Sequence, residues 1–94
     1  LSKEWTDFLE SLPEHEIQVL TAILKQVKVK STIKKIAETN ITMPNLLIDS
    51  INERAADIIG ELIISTSNDT PEIYEEYQHN IQEIIMMSEQ VKSK

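Results

Sequence analysis

Asp49, Glu53 and Asp57 recur at i, i+4 and i+8, a spacing that sets three carboxylates along one ridge of a helix. Like charges in such a row repel by about 0.2–0.5 kcal/mol per pair. A hard divalent cation, Mg²⁺ or Ca²⁺, held through carboxylate oxygens would relieve that repulsion. A row of this kind is more often a solvated helix face, and three single carboxylates on one exposed helix would hold a cation only weakly. A tighter site needs Glu61, Glu72, Glu75 or Glu76 brought alongside from the closing part of the chain. The order lacks the Asp-x-Asp-x-Asp-Gly loop of calcium sensors.

Glu72, Glu76, His79 and Glu83 form a second constellation, a stripe about 60° wide if this segment is helical. Glu-x-x-His spacing recurs in di-iron carboxylate bundles, but there it points inward and occurs twice. Here the stripe lies opposite Ile73, Tyr77 and Ile81 and therefore faces water. His15, between Glu14 and Glu16, reads as an exposed first-turn residue. Hydrolase chemistry has no footing, because the serines sit in no Gly-x-Ser-x-Gly and have no paired base. With one glycine a phosphate-cradling loop is excluded, and without cysteine so are disulfides and thiolate chemistry.

Charge is polarised along the chain. Between Asp49 and Glu89 stand ten carboxylates, with Arg54 as the single Lys or Arg, whereas Lys25, Lys28, Lys30, Lys34 and Lys35 occupy a stretch without an acid. The net charge of −7 disfavours nonspecific attraction to nucleic acid or to an anionic membrane. The five lysines could contact phosphates or an acidic partner, although such clusters are more often solvated helix ends. Apolar residues make up 40% of 94 residues, enough for one domain core, and no run approaches the length of a bilayer span. Nothing resembles a signal peptide, so the expected location is the cytoplasm without membrane insertion.

Four to five helices must position these side chains, giving an all-α or mainly α domain over 1–94. Ser2 caps a first helix on which Trp5, Phe8, Leu9 and Leu12 recur. A second starts at Pro13 with Glu14 and Glu16 in its first turn and an apolar stripe of Ile17, Leu20, Ile23, Leu24 and Val27. Ser31 or Thr32 opens a short third helix that ends at Thr39-Asn40. The fourth runs from Pro44 to Gly60, the natural residue for a left-handed helix end. Leu62 to Thr66 is β-branched and predicts a short β segment near 61–66, followed by a turn at Ser67-Asn68-Asp69. Thr70-Pro71 opens a last helix reaching Val91, with Ile73, Tyr77, Ile81, Ile84 and Ser88 inward, and the 91–94 tail frays. The expected core is Leu20, Leu24, Ile33, Ile36, Leu47, Ile51, Ile58, Tyr77, Ile81 and Ile84.

Helix, short turn, longer helix and strand follow the order of a winged helix-turn-helix. The helix that would enter the major groove carries Asp49, Asn52, Glu53 and Asp57 against Arg54 alone, which a phosphate-lined groove would repel. A degenerate nucleic-acid binder working through the Lys25–Lys35 patch is the alternative function, and DNA reading by the fourth helix is disfavoured.

The run Met43-Pro44-Asn45-Leu46-Leu47-Ile48-Asp49-Ser50-Ile51-Asn52-Glu53-Arg54-Ala55, continuing through Asp57 and Gly60, resembles the TerB-C domain, the C-terminal domain of bacterial proteins related to the tellurite-resistance protein TerB. Trp5 to Leu12 is similar to that family's first aromatic-leucine helix, and Ile73-Tyr74-Glu75-Glu76-Tyr77 to its closing acidic helix. Ser65-Thr66-Ser67 departs from a stretch that is more acidic in the family. The resemblance implies a module excised from a larger bacterial protein, as a first residue of Leu1 also suggests, set beside TerB-like or ATPase and helicase-type domains. It implies a stress or phage-defence context and metal chelation by acidic residues, with Glu53, Asp57 and Glu75 or Glu76 foremost. The expected function is a non-enzymatic interaction module whose acidic surface takes a partner (another domain of the parent or another protein) or a weakly bound divalent cation at Asp49, Glu53, Asp57, Glu75 and Glu76.

Overall fold

The computed structural model describes residues 2–92, with side chains described through residue 90. Helix α1 (Lys3–Ser11) starts where Ser2 accepts the Trp5 amide and buries Trp5 and Phe8. Helix α2 (Glu14–Lys25) follows Pro13, whose carbonyl receives the amides of Glu16 and Ile17. Ile17, Val19, Leu20, Ala22 and Ile23 are all buried, so α2 is covered on more than one side. It is the central helix, packing on the three later ones.

Gln26 and Lys28 both take left-handed backbone angles, and α3 (Val29–Thr39) begins directly after them. This is two residues before the expected Ser31 start, because burial of Val29 draws that residue into the helix. Val27, expected on the α2 stripe, lies in the turn and is 66% exposed. Met43 is extended, as a residue before proline must be, and α4 (Pro44–Ile58) opens on Pro44. Gly60, at φ +93°, carries the chain off α4 with its amide returned to the Ala55 carbonyl.

Strands β1 (Ile64–Ser65) and β2 (Glu72–Ile73) pair antiparallel, with Ile64 opposite Ile73 and Ser65 opposite Glu72. A 3₁₀ turn (Glu75–Tyr77) leads into α5 (Gln78–Lys92). The last helix thus opens seven residues after the Pro71 expected to begin it. Pairing with β1 holds 72–73 extended, and buried Ile73 anchors the strand. Of the tail expected to fray, 91–92 belong to α5, and 93–94 lie outside the described residues.

This two-stranded sheet is too short to stand alone, and side-chain amides cover its edges. Asn52 Oδ1 accepts the amides of Ile63 (3.1 Å) and Ile64 (2.9 Å), while its Nδ2 donates to the Ile64 carbonyl (3.0 Å). One side chain therefore stands in for a neighbouring strand. Gln26 Nε2 donates to the carbonyls of Ile23 (2.6 Å) and Pro71 (3.1 Å), which ties the α2–α3 turn to the hairpin.

Phe8, Val19, Leu20, Ile23, Ile33, Ile51, Ile63, Ile64, Ile81 and Ile84 fill the core. Six of the ten expected core positions are buried, while Leu24, Ile36, Ile58 and Tyr77 are half-buried at its margin. Trp5 packs edge-on against Phe8 (centroids 5.9 Å, 87°) and tilted against Tyr77 (5.8 Å, 46°), joining α1 to the 3₁₀ turn. The architecture is mainly α, with the helix-turn-helix order of α3 and α4 followed by a minimal hairpin.

Candidate interaction site

Helix α4 sends different residues in four directions. Leu47, Ile48, Ile51 and Ala55 face the core. Asn52 turns to the hairpin as described above. Ser50 and Arg54 turn to α2, where Glu16 is buried to 3% exposure. Ser50 Oγ donates to Glu16 Oε2 at 2.9 Å and Arg54 Nε donates to Glu16 Oε1 at 3.0 Å. Arg54 Nη1 also donates to the Ser11 carbonyl at 3.0 Å, satisfying an open carbonyl at the C-terminal end of α1. Glu16 is therefore a buried anchor as well as a first-turn anion.

Asp49, Glu53 and Asp57 remain on the exposed outer side of α4. Asp49, Asn52, Glu53 and Ala56 of α4 line an open groove of about 500 Å³ together with Leu62, Ile64, Thr66, Ser67 and Tyr74. Leu62 (52% exposed) and Tyr74 (40%) are its apolar floor. A second recess shares those two residues and adds Glu61, Glu76 and Tyr77. Glu75 lines a separate recess, with Glu72, Tyr74 and Gln78. Two exposed apolar side chains thus sit inside a rim of carboxylates. Burial first, then the nearby charges of Glu61 and Glu76, push the Tyr77 phenol above its ordinary value. Asp49, Glu53, Asp57, Glu61, Glu75 and Glu76 make no ion pair among the described residues.

These carboxylates rim a surface and do not close around a point. Among the described residues no three His, Asp or Glu side chains are placed to hold one metal ion, so Asp49, Glu53, Asp57, Glu75 and Glu76 do not assemble into a ligand set. The chelation that the family resemblance implies has no fitting donor cluster here. The helical stripe of Glu72, Glu76, His79 and Glu83 is likewise broken up. Glu72 stands in β2 and accepts from Asn68 Nδ2 at 2.6 Å, Glu76 is in the 3₁₀ turn, and His79 pairs with Glu83 across 2.6 Å. His15 is half-buried where exposure was expected.

All five lysines of the basic stretch are exposed. Lys30 pairs with Asp69 of the hairpin tip at 2.9 Å, while Lys25, Lys28, Lys34 and Lys35 make no ion pair among the described residues. Lys25 rims a trough of about 480 Å³ between α2, α3 and α5, whose apolar lining includes Ile17, Ala22, Ile36 and Ile85. Two hydroxyls there are spent on their own helices, Thr21 on the Ile17 carbonyl and Ser88 on the Ile85 carbonyl, both at 2.8 Å. Gln18, Thr32 and Ile36 also line a smaller recess that continues past Lys35 and Thr39 to Asn40.

The Glu16–Arg54 pair, the Asn52 clamp and these troughs went unread in the sequence. One signal was present, since Glu16 shares a helical face with buried Leu20 and Ile23 at i+4 and i+7.

A family profile for the TerB-C domain matches residues 1–82, which is most of the chain. The chain belongs to the TerB-C domain family. Neither the curated proteins nor the solved structures contain a significant match. The match takes in the whole acidic groove of this TerB-C domain and ends within α5. Among its described residues no helix is long and apolar enough to cross a membrane.

Proposed function

We propose that this TerB-C domain is a non-enzymatic interaction module whose acidic groove receives a basic segment bearing an apolar anchor. One observation carries the reading. Leu62 and Tyr74 stay exposed inside a rim of Asp49, Glu53, Glu61 and Glu76 that lack ion-pair partners among the described residues. A cationic segment would neutralise that rim while its aliphatic or aromatic side chain covers the floor, the arrangement in which polar rims steer and apolar centres bind. The partner would be another domain of the parent protein or a separate protein, in the bacterial cytoplasm and in the stress or defence setting that the family resemblance implies. A divalent cation would bind this open rim at most weakly.

Calorimetric titration with a lysine-rich peptide carrying a central Leu-Phe pair tests this. Binding should fall at least about tenfold in the Asp49→Lys/Glu53→Lys variant and in Tyr74→Ala, and should weaken as salt rises. A glutamate-rich peptide of the same design should not bind. Equal binding of both peptides would defeat the reading. Tight binding of a short DNA duplex that is abolished by Lys34→Glu/Lys35→Glu would replace it with nucleic-acid recognition.

A further inference from the structure

The turn between α2 and α3 is a basic knob with an apolar tip. Val27 is 66% exposed between Lys25 and Lys28, two exposed lysines that make no ion pair among the described residues. The knob is held rigidly. Gln26 at φ 54° and Lys28 at φ 49° fold the chain tightly on either side of Val27. Backbone bonds close both ends, from the Gln26 amide to the Ala22 and Ile23 carbonyls and from the Thr32 amide to the Lys28 carbonyl. The bond from Gln26 Nε2 to Pro71 and the Lys30–Asp69 pair then fasten the turn to the hairpin. A segment already fixed in shape loses little conformational freedom when it docks.

The acidic groove is complementary to such a knob. Its floor of Leu62 and Tyr74 suits Val27, and the carboxylates of Asp49 and Glu53, with Glu61 and Glu76 in the adjoining recess, suit Lys25 and Lys28. Within one chain the two are held apart. The turn is fastened at Asp69 and Pro71, where the hairpin packs on α2, whereas the groove lies between the hairpin and α4. No residue belongs to both, so the knob is presented to another molecule.

We propose, resting on the groove's role as a docking site for a basic segment with an apolar anchor, that its guest is the α2–α3 turn of a second copy of this chain. Because knob and groove are different patches, the contact is head-to-tail, and each added copy brings a fresh groove. The contact is one turn wide, well below a standard interface, which sets an expected Kd of about 100 µM to 1 mM. The net charge of −7 on each copy opposes approach. At about 0.15 M salt, however, exposed charges more than about 8 Å apart are largely screened, and charges in contact are screened less.

Sedimentation equilibrium at that salt, up to about 2 mM chain, tests the proposal. Wild type should grow past a dimer. Two variants divide the contact. Asp49→Lys/Glu53→Lys keeps the knob and loses the groove, and Lys25→Gln/Val27→Ser/Lys28→Gln keeps the groove and loses the knob. Each alone should self-associate at least about tenfold more weakly. Their equimolar mixture should recover the wild-type affinity and stop at a one-to-one dimer, because one supplies the knob and the other the groove. General relief of net repulsion would instead strengthen association of the first variant, which is less negative than wild type. Val27→Ser alone, a change at an exposed side chain, should keep the melting temperature and weaken association at least about threefold. A wild type that stays monomeric overturns the proposal, as does a variant that grows like wild type or a mixture that fails to pair or grows beyond two. The lysine-rich peptide separates the two readings. If it binds while wild type stays monomeric, the docking site stands and self-docking falls, and if neither occurs both fall.

Discussion

At the scale of single residues, the positions that matter most to stability are polar ones inside the fold. Glu16 is a carboxylate removed from water, and its charge is tolerated because Arg54 and Ser50 donate to both of its oxygens. Removing the guanidinium strands that charge. Arg54→Ala should therefore destabilise by about 3 kcal/mol, the lower end for a broken buried pair, since the Arg54 side chain is 37% exposed. Urea unfolding measures this, and the double variant Glu16→Leu/Arg54→Met should lose less than Arg54→Ala alone. A loss under about 1 kcal/mol for Arg54→Ala would mean the pair is no more than a surface bridge. Tyr77 offers a test of local charge. Its phenol is held above the ordinary value by burial and by Glu61 and Glu76, so the folded state keeps that proton longer than the unfolded chain does. The resulting stabilisation is complete below the unfolded value of about 10 and is lost as pH rises through the higher folded value. In a Tyr74→Phe background the remaining tyrosine should ionise later than in urea, by phenolate absorbance. Glu61→Gln/Glu76→Gln should lower its midpoint only in part, because burial persists.

Among the elements, those with local punctuation were legible and those fixed by distant partners were not. Ser2, Pro13, Met43-Pro44 and Gly60 mark helix ends by their own backbone chemistry, and α1, α2 and α4 begin or end within two residues of them. Thr70-Pro71 has the same chemistry but precedes a strand, because Glu72–Ile73 finds a ladder partner in Ile64–Ser65 that no local rule could announce. The acidic ridge of the candidate site was legible from its spacing. Its apolar floor was not, since Leu62 and Tyr74 are twelve positions apart and meet only through the hairpin. Glu16 and Arg54, separated by 38 positions, were hidden for the same reason. Asn52 is where an element depends on one side chain. Asn52→Ala would leave the Ile63 and Ile64 amides and the Ile64 carbonyl without their partner, an expected loss of about 1–3 kcal/mol. Hydrogen exchange should quicken first at Ile63 and Ile64. Unchanged protection at both amides would show that the hairpin holds its own edge.

For the molecule as a whole, charge separates stability from recognition. Acidic side chains gather on α4 and the hairpin, lysines on the α2–α3 turn and α3, and the net charge is −7. A surface selected for stability alone would mix these signs. Asp49 and Glu53 repel each other along α4 and receive no neutralising ion pair among the described residues. That repulsion reduces the stability of the free domain slightly, and under the proposed function a cationic partner would relieve it. Replacing them by uncharged isosteres, Asp49→Asn/Glu53→Gln, should therefore stabilise the fold by about 0.5 kcal/mol, a rise of about 2–4 °C in Tm for a domain of this size. The melting temperature of wild type should climb with added NaCl as repulsion is screened, and this dependence should be shallower in the variant. The same variant should bind the lysine-rich peptide more weakly. Opposite signs for stability and binding in one variant are the signature of a recognition surface. If stability fell instead, the two carboxylates would be serving the fold, and the groove would lose its claim to be a docking site.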